Sequence, residues 1–116
     1  MNRMIDLVKN KVEMLECGAF KYTGIVDETI HLVQEKQLKD AKYWKLFVEQ
    51  YRKGNADDHD RGWRGEYWGK MMRGACFVYS YTRNNELYNI LTQTVRDMLD
   101  SFDEYGRIST YPIEKE

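Results

Sequence analysis

The sequence predicts an all-α fold, and three observations carry that reading. Apolar residues recur every three or four positions in five separate stretches. The chain has one proline, Pro112, so the rest is free of the strongest helix breaker. Glycines and short polar residues that suit helix ends stand between the stretches.

The first predicted helix spans 3–16, with Ile5, Val8, Val12 and Leu15 on one face. Cys17-Gly18 ends it, since Gly18 is able to take the left-handed cap conformation. A loop over 18–24, GAFKYTG, follows. The second helix runs about 27–38, with Asp27 as N-cap and Ile30, Val33 and Leu38 inward. The third starts near Asp40, another N-cap candidate, and carries Tyr43, Trp44, Phe47, Val48 and Tyr51 as a wide stripe suited to core packing. Lys53-Gly54 stops it, and Asn55–Asp60, NADDHD, reads as a polar surface loop.

The fourth helix, 66–81, places Tyr67, Met71, Ala75, Val78 and Tyr79 on one face, with Trp68, Met72 and Cys76 beside it. Gly69 and Gly74 each lower helix propensity by about 1 kcal/mol, a cost that implies a close-packed neighbour. A polar break, TRNN at 82–85, leads to the fifth helix, 85–102. It bears the cleanest amphipathic stripe: Leu87, Ile90, Leu91, Thr94, Val95, Met98, Leu99 and Phe102. So short a link makes helices four and five antiparallel neighbours. Asp103–Gly106 is a turn, and Arg107–Tyr111 a short extended exit.

With 116 residues a single domain over 1–116 is expected: N-terminal helices over 1–54, a polar and aromatic loop over 55–65, then a hairpin and exit turn over 66–111. The net charge of −1 gives no overall pull toward nucleic acid or an anionic membrane. No apolar run approaches the ~20 residues that span a bilayer. The first residues alternate charged and apolar types and do not read as a secretory signal. Cys17 and Cys76 make neither a disulfide framework nor a metal motif, so a reduced, cytoplasmic setting is expected.

Asp57, Asp58, His59 and Asp60 are consecutive on a loop, where ligands do not converge on a metal. Cys76, between Ala75 and Phe77, reads as a buried structural thiol. His31 sits in a charged helix and reads as exposed. Arg61, Arg64, Lys70 and Arg73 interleave with Trp63, Tyr67 and Trp68, as a single-strand nucleic-acid patch would. The overall charge and the scatter of these bases around a helix argue against it. The same residues make a better sugar platform: aromatic faces stack on sugar CH faces, and Arg and Glu hold hydroxyls through charge-assisted hydrogen bonds. A structural role, closing the end of the core, is the alternative for the aromatics.

The segment Trp63-Arg64-Gly65-Glu66-Tyr67-Trp68-Gly69-Lys70, then Tyr81-Thr82-Arg83-Asn84-Asn85-Glu86-Leu87, then Phe102-Asp103-Glu104-Tyr105-Gly106-Arg107-Ile108-Ser109-Thr110-Tyr111, resembles the N-terminal region of the β-L-arabinofuranosidase-like glycoside hydrolases (family 127 and relatives). The resemblance covers about 61–111 well and 18–54 loosely. It implies the opening part of an (α/α)6 toroid, with helix four inner and helix five outer. Loop length alone brings Trp63–Trp68 and Gly106–Tyr111 to one end of the hairpin, which by resemblance is the sugar-binding end. Carbohydrate contact is therefore expected from Trp63, Arg64, Glu66, Trp68 and Tyr111. Such enzymes use a cysteine nucleophile and a zinc held by cysteines and a glutamate, and nothing in this sequence maps onto those residues. No catalytic residue or metal ligand is assigned here, and no glycosidase activity is expected of this chain alone. Helices that part of a toroid leaves uncovered favour association, so a homo-oligomer is also expected.

Overall fold

The computed structural model of the chain describes residues 15–52 and 64–111. The described part is helical, with no strand among the described residues. Its elements are α1 (Ile25–Val33), a π-helical turn (Gln34–Leu38), α2 (Ala41–Glu49), α3 (Arg64–Thr82) and α4 (Asn85–Leu99). Most of the first predicted helix and the 55–60 loop lie outside the described residues. Leu15, the last apolar position of that helix, is exposed.

The predicted cap at Asp27 is corrected. Gly24 holds the N-cap position with φ 65°, and Asp27 falls in the first turn of α1. There its negative charge faces the positive end of the helix dipole. Gly18, with φ 89°, takes the left-handed conformation predicted for it. Asp40 caps α2 as predicted, its carboxylate accepting from the Lys42 N–H at 3.0 Å.

The π turn follows α1 directly, Lys39 N–H donating to the Gln34 carbonyl at 3.0 Å. Its residues Gln34 and Leu38 are both buried. A buried amide needs partners: Gln34 Oε1 accepts from Thr82 Oγ1 at 2.6 Å, and its Nε2 donates to Glu35 Oε1. The Leu38 carbonyl accepts from buried Trp44 Nε1 at 2.7 Å, which ties the turn to α2. Lys39 then bridges Glu35 and Glu86, both at 2.8 Å, and connects the turn to the start of α4.

The core contains Leu38, Trp44, Ala75, Leu87 and Leu91, with Trp68, Met71, Met72, Val78, Tyr79 and Ile90 packed against it. The aromatic stripe of α2 is core only in part. Trp44 and Val48 are buried, Phe47 and Tyr51 half-buried, and Tyr43 exposed. Leu87 is fully buried, a contribution of about 1.5–3 kcal/mol from its side chain.

Helices α3 and α4 are antiparallel, as the short link predicts. Trp68, early in α3, bonds to Thr94, late in α4, while Tyr79 meets the Tyr88 ring near the link. Arg83 makes the reversal with φ 53°, its N–H donating to the Tyr79 carbonyl. Asn84 caps α4, accepting from Leu87 N–H at 2.9 Å. The Arg83 guanidinium reaches the Cys17 carbonyl at 3.3 Å, so the chain before α1 is fastened at the link end of the hairpin.

Two further expectations are corrected. Cys76 is exposed, its thiol beside the Met72 sulfur rather than within the core. Among the described residues, a β-carbon at Gly69 or Gly74 would meet nothing within 4 Å, so no described neighbour explains either glycine. Helix α3 also begins two residues before, and α4 ends three residues before, the predicted limits of 66 and 102.

Candidate functional site

At the end of the hairpin away from the link, the start of α3 meets the exit segment. The exit is built by Asp103. Its carboxylate accepts from the backbone N–H groups of Tyr105 and Arg107, both at 2.9 Å, and from Arg107 Nε at 2.7 Å. Those bonds, the Arg107 N–H first and then the guanidinium, hold the Asp103 carboxyl below the usual carboxylate range. Gly106, at φ 76°, lets the chain double back, and Asp103 N–H closes the loop onto the Arg107 carbonyl.

The chain then runs along the start of α3. Thr110 is buried against Gly65, and the hydroxyl of Tyr51, just beyond α2, donates to the Gly65 carbonyl. Burial pushes the Tyr51 hydroxyl pKa up, so it remains a protonated donor through the neutral range. Ser109 Oγ accepts from Tyr111 N–H at 3.1 Å and fixes the last turn.

These residues enclose an open recess of about 410 Å³, lined by Tyr51, Gly65, Glu66, Ile108, Ser109, Thr110 and Tyr111. Its volume falls in the range of small-molecule sites. Two phenols, two aliphatic hydroxyls and one carboxylate face it, beside the apolar Ile108. Glu66 is exposed and paired with Lys70 at 2.7 Å, which raises the Lys70 ammonium above its ordinary pKa. Among the described lining residues Glu66 is the one carboxylate, so the wall offers hydrogen bonds and ring faces rather than a pair of acids spaced for glycoside hydrolysis.

The structure brings together some of the residues predicted for a site and separates others. Glu66 and Tyr111, far apart in sequence, share the recess. Trp68 is not on its wall. The indole packs against the core and its Nε1 donates to Thr94 Oγ1 at 3.1 Å, the structural alternative raised for the aromatics. Arg64 is the first residue of α3, and Trp63 lies outside the described residues. Tyr51, Gly65, Ile108, Ser109 and Thr110 were not singled out from sequence. The Ser-Thr pair within the exit was the available signal for the last two, whereas Tyr51 reads locally as one more aromatic of the α2 stripe.

Neither the known protein families, nor characterised proteins, nor solved structures give a match to this chain. Among the described residues no group of His, Cys, Asp and Glu is arranged to hold a metal ion. No described helix is long and apolar enough to cross a membrane.

Proposed function

We propose that the recess is one rim of a carbohydrate site, and that the chain corresponds to the N-terminal helices of a β-L-arabinofuranosidase-like glycoside hydrolase, binding sugar without hydrolysing it. The observation that carries the reading is the meeting of Glu66 and Tyr111 on one wall with the Tyr51 and Ser109 hydroxyls. A furanose or pyranose presents hydroxyl donors to Glu66 and a CH face to a phenol ring. Trp63 and Arg64 are further candidates for sugar contact on the strength of the resemblance alone, and Trp68 packs in the core behind the start of α3. The zinc and the cysteine nucleophile of that family have no counterpart among the residues assigned here. A panel of arabinosides and other glycosides titrated against the chain by calorimetry tests the proposal. Saturable heat that disappears in Glu66→Ala and Tyr111→Ala is the expected result, and no heat with any glycoside would overturn it.

A second reading, a helical module that associates with copies of itself, rests on a different observation. Tyr88, Val95 and Leu99 share one face of α4, Phe102 follows shortly after the helix ends, and all four are exposed. On α1, Ile25 and Leu32 are exposed as well. Apolar faces of this kind favour association. In this reading sedimentation equilibrium gives a dimer or larger species that Leu99→Glu reduces to monomer. A wild-type monomer at high concentration would exclude it.

A further inference from the structure

We infer that Gly65 is a positioning residue, the point on which the exit segment closes to set the shape of the recess. A β-carbon at this position would stand 2.7 Å from Thr110 Cγ2, 3.0 Å from Thr110 Oγ1 and 3.0 Å from the Tyr51 hydroxyl. The glycine is bounded on two sides: Tyr51, just beyond α2, bonds its carbonyl, and Thr110 of the exit segment occupies the space a β-carbon would need. Thr110 is only 6% exposed and lines the recess, so a shift of its methyl away from Gly65 is a shift of the recess wall.

Gly65 differs in this from Gly69 and Gly74 on the same helix, where an added β-carbon meets no described residue within 4 Å. Its own φ is not in the left-handed range, so the constraint is volume rather than backbone conformation. The residues on either side of the clasp are the ones the recess needs. Glu66 follows Gly65, and Ser109 and Tyr111 flank Thr110, all on the wall. Widening the clasp by one methyl therefore separates Glu66 from Tyr111 while leaving both side chains intact.

The binding arm of the test rests on the proposed carbohydrate site, whereas the structural arm stands without it. Gly65→Ala, Gly65→Ala/Thr110→Ser and the control Gly69→Ala are compared in the full chain. The structural arm follows tryptic cleavage after Arg107, relative to cleavage after Lys42. Gly65→Ala is expected to speed cleavage after Arg107 and to weaken glycoside binding by about tenfold. Thr110→Ser removes the clashing methyl but keeps the hydroxyl, so the double variant should recover toward wild type in both readouts, which a general loss of stability would not allow. Gly69→Ala should change neither. If Gly65→Ala does not fold, Tyr51→Phe opens the same clasp without adding volume and should speed cleavage after Arg107. Wild-type cleavage in Gly65→Ala, or no recovery in the double variant, would overturn the inference. Absence of glycoside binding in wild type would sink the carbohydrate reading, and the cleavage rates would still decide the clasp.

Discussion

Trp68 and Thr94 are joined by a hydrogen bond of 3.1 Å, from the indole Nε1 to the threonine Oγ1, that fastens the early turns of α3 to the second half of α4. Thr94 is buried, so its hydroxyl depends on a protein partner. The bond commits to the hairpin a tryptophan that the resemblance offers as a sugar contact.

Trp68→Phe is accordingly expected to destabilise the chain by about 1–3 kcal/mol, through the unpaired Thr94 hydroxyl and the lost indole volume. Urea unfolding measures this. Glycoside affinity should stay within about twofold of wild type, because the indole is not on the wall of the recess. A larger loss of affinity at unchanged stability would return Trp68 to the sugar site.

Gly69→Ala and Gly74→Ala should each stabilise the chain by about 0.4–1 kcal/mol. Both lie inside α3, and no atom of the described residues stands within 4 Å of where the β-carbon would go. Alanine narrows the unfolded ensemble and favours the helix without a clash. A fall in melting temperature in either variant would reveal a neighbour that covers α3 at that glycine.

The exit turn should loosen in acid. Asp103 has its pKa lowered in the folded chain by the Arg107 N–H and guanidinium and by the Tyr105 N–H. Its contribution is thus fully present above the ordinary carboxylate value, near 4, and is lost as pH falls through the depressed folded value. The amide proton resonances of Tyr105 and Arg107 should move together as the pH is lowered below about 4. In Asp103→Asn that joint movement should be absent.

The helices were legible because periodicity and caps are local. Asp40 caps α2, Gly18 takes its left-handed conformation, and the short link forces α3 and α4 antiparallel. Faces were less legible where a helix is apolar on several sides. On α3, Met71, Met72, Cys76, Phe77 and Val78 crowd around the axis, and period alone does not say that Phe77 and Cys76 point outward. The π turn shifts the register after Val33 and brings Gln34 inward, a polar residue with no local signal of burial. The recess was half legible. Chain reversal places Glu66 and Tyr111 at one end, but the clasp of Tyr51 and Thr110 on Gly65 joins three elements, and no stretch of sequence carries it.

The most direct test of the central claim is a backbone-amide NMR titration of the chain with a methyl arabinofuranoside. The account predicts saturable shifts gathered at Tyr51, Gly65, Glu66 and Ile108–Tyr111, with the link residues Arg83 and Asn84 unmoved. Saturable shifts gathered elsewhere, or none up to the solubility limit of the sugar, would contradict it.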